Sequence, residues 1–64
     1  MRATFAAGDR VTFSSDPVIP TDGDTVSGAI ISVAHGLAII RPDALIDGTI
    51  AVTTRDVRDI AKET

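Results

Sequence analysis

Apolar and polar residues alternate one by one along much of this chain, the period of strands that bury one face. Val11 and Phe13 alternate with polar neighbours over residues 10–14, directly after the turn signal Gly8-Asp9. The strongest segment runs from Thr25 to Ala34 and holds Gly28 in its interior. An internal glycine marks a bulge, a bend or a close backbone approach, and a bent second strand lets a small sheet turn onto itself. Ala34-His35-Gly36 reads as a tight turn into Leu37-Ala38-Ile39-Ile40-Arg41, and Pro42-Asp43 ends that run because proline cannot donate to a ladder. Asp47-Gly48 is a hairpin-type dipeptide, and residues 49–53 alternate again, which predicts a fourth strand there.

Two segments break the alternation. Residues 15–24 contain two prolines, a glycine and the acids Asp16, Asp22 and Asp24, the composition of a loop. Long loops in compact domains often carry function. At the other end, Val57 and Ile60 are three apart, the spacing of a single 3₁₀ turn followed by a short strand over residues 60–62. The competing reading is one helix over residues 54–63, capped by Thr54. Ten residues make an undocked helix marginal, which favours the turn.

Composition supports the strands. Eight isoleucines, six valines and eight threonines stand against two leucines, and branching at Cβ suits a pleated surface. The expectation is one all-β domain over residues 1–64: a five-stranded SH3-like barrel with a short 3₁₀ turn near its C-terminal end. Sixty-four residues bury only about 60% of the unfolded surface. Such small scaffolds are usually reinforced by a disulfide, a metal or a partner chain. The chain has no cysteine and one histidine, which leaves self-association as the reinforcement. Its size and initial Met suggest a stand-alone accessory protein of a bacterium, phage or mobile element. The first residues are too few for a signal peptide, and no apolar run reaches the ~20 residues of a membrane span. A cytoplasmic location with no membrane contact is therefore expected.

The segments Gly8-Asp9-Arg10-Val11, Val26-Ser27-Gly28-Ala29-Ile30, Gly48-Thr49-Ile50-Ala51-Val52 and Val57-Arg58-Asp59-Ile60 together resemble the layout of an SH3-like barrel over nearly the whole chain. Among such proteins the layout is most similar to the plasmid-borne type II dihydrofolate reductases, short chains that assemble into a tetramer around one pore. The resemblance implies a homo-oligomeric scaffold. It does not imply the activity: where that family carries Val-Gln-Ile-Tyr, this chain has Ile50-Ala51-Val52-Thr53. The amide and hydroxyl that contact substrate and cofactor are replaced, so no catalytic residue and no cofactor carries over.

Candidate chemistry is thin. His35 is the one side chain whose ordinary pKa lies near neutrality, but its place in Ala34-His35-Gly36 reads as a solvated turn residue. Serine and threonine have no obvious activating partner. Asp22-Gly23-Asp24 begins like a calcium loop, yet the twelfth position, which needs a bidentate glutamate, is Val33. Asp16, Asp22 and Asp24 remain a candidate loop site for a weakly held cation, with solvated loop acids as the plainer reading. No metal site is assigned.

Charge and aromatic content remove several functions. The net charge is −3 with a pI near 4.7, against the basic character of phosphate-tracking proteins. A nucleic-acid-associated barrel is the weakest of three readings. With no Trp or Tyr and only Phe5 and Phe13, the chain lacks the aromatic surfaces of proline-motif grooves, methyl-lysine cages and base-stacking platforms.

Aliphatic surface remains. Ile30-Ile31 and Ile39-Ile40 place neighbours on opposite strand faces, so one of each pair is expected to point outward. The competing reading turns both into one core through a bend at Gly28. Ile31 and Ile39, with Arg41, Arg55 and Arg58, form the candidate interaction surface; Arg41 and Arg55 would hold a phosphate or carboxylate if they share a face, with a solvated, mixed-charge surface as the plainer reading. The first functional expectation is a non-catalytic interaction module that binds itself and a larger protein complex. The alternative is an oligomeric small-molecule or nucleotide-binding protein, or an enzyme, with a site between identical chains.

Overall fold

The computed structural model describes residues 4–16, 19 and 23–63. Five antiparallel strands follow one another: β1 (Arg10–Ser14), β2 (Thr25–Ala34), β3 (Leu37–Pro42), β4 (Thr53–Asp56) and β5 (Ile60–Lys62). A 3₁₀ turn over Val57–Asp59 lies between the last two, and the alternative helix over 54–63 is not formed. The strands make one curled sheet in the order β4-β3-β2-β1-β5, a half-barrel. Among the described residues β4 pairs only with β3, and β5 only with β1. Nor does any helix among them have the length and apolar character to cross a membrane.

The concave face is the core. Val11 and Phe13 from β1, Ile30 from β2, Ala38 and Ile40 from β3 and Ile60 from β5 are buried there, with Ile46 from the β3–β4 connection. These are the inward positions that the alternation assigns. The β2–β3 hairpin closes through His35 and Gly36, both at positive φ (54° and 76°), as a two-residue primed turn requires. Gly28 is a site of close approach: a Cβ there would lie 2.6 Å from the Arg41 carbonyl oxygen and 3.0 Å from the Pro42 Cα. The bulge lies three residues further on, where the Ile30–Ile40 pair is followed by Ser32–Ile39 and Ile31 is the extra residue. Because side chains alternate, one inserted residue flips the face of all that follow. Val33 thereby turns toward the core and Ser32 toward solvent.

The fourth strand departs from the pattern. Residues 49–53 do not form it; β4 begins at Thr53. Asp47 and Gly48, at φ 54° and 72°, close a tight turn in which Ile46 and Ile50 exchange backbone hydrogen bonds of 3.0 and 2.9 Å. That local bridge occupies the Ile50 backbone and directs Ile46 into the core, so pairing with β3 waits until Thr53. Arg55, rather than an apolar residue, then takes the inward position of β4 opposite Ala38.

Candidate functional site

The outer face of β2, β3 and β4 gathers the surface that the isoleucine pairs predict. Ile30 and Ile40 are 3% and 0% exposed, whereas Ile31 and Ile39 are 43% and 39% exposed, so each pair divides between core and solvent. Leu37, not singled out from the sequence, is 47% exposed two residues before Ile39 on the same strand face. Its signal was present: the alternation that buries Ala38 and Ile40 turns Leu37 outward. Ser32, Ala34, Leu37, Ile39 and Thr54 line a shallow depression of about 190 Å³.

The face has charged ends. Arg41 follows Leu37 and Ile39 in the outward row of β3, and Asp56 is the cross-strand partner of Leu37 at the far end. The Arg41 backbone pairs with Ala29 in the ladder, while its side chain makes no hydrogen bond or ion pair among the described residues. Asp56 accepts from the Arg58 backbone N–H at 2.9 Å, capping the 3₁₀ turn, and from Arg58 Nε and Nη2 at 3.2 and 3.1 Å. The Arg58 guanidinium holds the Asp56 carboxyl below its usual pKa. Arg58 is therefore an exposed neighbour of this face, engaged with Asp56.

Arg55 is not on that surface. It is only 8% exposed and faces the concave side, opposite to Arg41, so these two arginines cannot grip one anion. Its guanidinium lies 5.3 Å from the centroid of the Phe13 ring. Nη1 donates to Thr53 Oγ1 and to the Thr54 carbonyl (3.0 Å), and Nη2 donates to the Ser14 carbonyl (3.2 Å). Nε is buried without a hydrogen-bond partner among the described residues. Burial lowers the Arg55 pKa from its usual value, while the charges of Asp16 and Asp59 act in the opposite direction. The β5 edge carries a similar contact, with Lys62 Nζ 5.7 Å from the Phe5 ring centroid.

The loop acids do not assemble as a metal site. Asp22 lies outside the described residues. Asp16 accepts from the Ile19 backbone N–H at 2.9 Å, and Asp24 pairs with Ser15, whose Oγ accepts the Asp24 N–H at 3.0 Å. Among the described residues no group of three His, Cys, Asp or Glu side chains is placed to hold a metal ion. Asp24 instead joins Asp43 and Asp47 around a cleft of about 350 Å³ beside Leu45. Asp43 is engaged from the rim by Arg10, whose Nη1 donates to Oδ1 at 2.6 Å. His35 sits exposed at the hairpin tip.

No family model matches the chain, and neither a curated protein nor a solved structure shows significant similarity to it.

Proposed function

We propose that this chain is a non-catalytic protein-interaction module that self-associates and docks on a larger protein complex through the outer face of β2, β3 and β4. The observation that carries the reading is the exposed pair Leu37 and Ile39 in one row, with Ile31 at the adjacent bulge. Singly exposed apolar side chains are ordinary, but a contiguous group with a polar rim marks an interaction surface. The strand order and the long, bulged β2 also support reading the fold as an SH3-like barrel, with the Arg55 side chain spanning from β4 to β1.

The reading of a nucleotide-binding or catalytic assembly has less behind it. The 350 Å³ cleft is lined by Asp24, Asp43 and Asp47, and like charge disfavours phosphate groups.

The test compares wild-type protein with Ile39→Asp, first by solution mass and then by capture of partners from a cell extract. The reading expects association and a partner that the variant loses while keeping its circular dichroism spectrum. A strict monomer that retains no partner overturns it.

A further inference from the structure

The outer face has a polarity along β3, and this selects both an occupant and an orientation. Leu37 and Ile39 form the apolar middle, Arg41 stands at one end and Asp56 beside Leu37 at the other. With a cation at one end and, at the other, a carboxylate shared with Arg58, a copy turned end for end brings each Arg41 to a carboxylate. Resting on the interaction reading above, we propose that a second copy of this chain occupies this face in a two-fold pair. Ile39 would pack near the axis, and Arg41 would reach Asp56 of the partner subunit.

Two physical arguments narrow the geometry. A two-fold axis parallel to the strands would stack Arg41 on its own symmetry mate, which like charge opposes. An axis across the strands reverses the partner and puts each Arg41 over the Leu37–Asp56 end, near the aligned angle at which sheets pack. The Asp56 carboxylate already receives Arg58, but two oxygens with about four lone-pair sites accept a second guanidinium. Pairing through a sheet edge is the competing route. Each edge strand carries a cation over an aromatic ring on the concave side, Arg55 on β4 and Lys62 on β5, and inward charges on edge strands oppose strand addition.

Size sets the strength. Over the six-residue length of β3, three strands cover roughly 300 Å² in plan from a ~3.3 Å rise and ~4.8 Å spacing. A standard interface removes about 800 Å² per partner. The pair therefore belongs with weak, concentration-dependent associations, not obligate dimers.

Sedimentation equilibrium of the whole chain from about 10 µM to 1 mM tests this. The expected result is a mass rising toward the dimer, with Ile39→Asp monomeric throughout. Arg41→Glu and Asp56→Lys should each weaken association roughly tenfold, since each places like charges together. Their equimolar mixture should restore it, because both cross-pairs become opposite again. Asp56 also caps the 3₁₀ turn, so if Asp56→Lys does not fold, Arg41→Glu decides alone. A wild-type dimer indifferent to Arg41→Glu, or a folded mixture with no restoration, overturns this orientation while leaving the interaction reading standing. A wild-type monomer at every concentration removes the second copy as the occupant. The interaction reading then rests on whether Ile39→Asp loses a captured partner.

Discussion

The Arg55 guanidinium lies 5.3 Å from the centre of the Phe13 ring and also donates to the Ser14 carbonyl. In the sheet, β4 and β1 are separated by β3 and β2. A contact between them exists because the sheet curls until one edge strand overlooks the other half of the core. No backbone ladder joins β4 to β1 among the described residues; a charged side chain does so. The arrangement combines a cation–π contact with charge-assisted hydrogen bonds, and leaves Nε buried without an acceptor among the described residues. That last point limits its value, since an unsatisfied buried donor carries a desolvation penalty.

Replacing Arg55 separates these contributions. Arg55→Ala removes the packing over Phe13 and the donors to Ser14 and Thr54, and should lower stability by about 2 kcal/mol or more. Arg55→Met keeps the packing and removes the desolvated charge, so its cost should stay below about 1 kcal/mol. Urea unfolding of both variants measures the difference; equal midpoints would show that the side chain does not brace β4 against β1.

Neighbouring isoleucines should respond to truncation to very different degrees. Ile40 is fully buried, so Ile40→Ala should cost about 2–5 kcal/mol, a large share of a small domain's stability. Ile39→Ala lies on the exposed face and should change stability by less than about 1 kcal/mol. Thermal unfolding at low protein concentration checks both without interference from association.

Gly28 should tolerate no side chain. A Cβ there meets the Arg41 carbonyl oxygen at 2.6 Å, and backbone in a ladder cannot move aside as a flexible side chain does. Gly28→Ala is expected to destabilise by about 1–3 kcal/mol, read as a lowered melting temperature. An unchanged melting temperature would mean that β2 and β3 separate locally at no cost.

Acid should weaken the fold through two carboxylates. Hydrogen bonds from Arg10 lower the pKa of Asp43, and those from Arg58 lower that of Asp56, from an ordinary 3.8. A carboxyl with a lowered folded-state pKa adds stability that is present above the ordinary value and fades as pH falls through the folded-state value. The urea midpoint should therefore decline between about pH 5 and pH 2. Asp43→Asn should flatten part of that decline, and an identical slope in the variant would contradict it.

Much of this architecture is legible in the sequence because alternation reports directly on burial. The strands at Val11 and Phe13, the long run through Gly28, the hairpin at His35-Gly36 and the closing 3₁₀ turn all follow from period and turn chemistry. Alternation leaves two readings for Ile30-Ile31 and Ile39-Ile40, one neighbour outward or both in one core, and the exposed Ile31 and Ile39 decide for the first. Residues 49–53 misled because Ile50 and Val52 alternate as a strand would, while the Asp47-Gly48 turn uses the Ile50 backbone locally. Charge ordinarily seeks water, so the sequence alone puts Arg55 on the surface. Only the curl of the sheet, which brings Phe13 beneath it, reveals a buried position. The bulge at Ile31 gave no signal either, since nothing in Ile30-Ile31-Ser32 distinguishes a slipped register from a regular one.

The pairing of Phe13 with Ile60 joins one of the earliest strands to the latest. During refolding the local hairpins of β1, β2 and β3 can form while one edge of β1 waits for a partner. An open edge is a template for the wrong chain, and contacts this distant in sequence form slowly. Refolding copies are thus most vulnerable to mispairing in the interval before Ile60–Lys62 docks on β1. Raising the protein concentration during refolding should raise the insoluble fraction without altering the stability of molecules that finish folding.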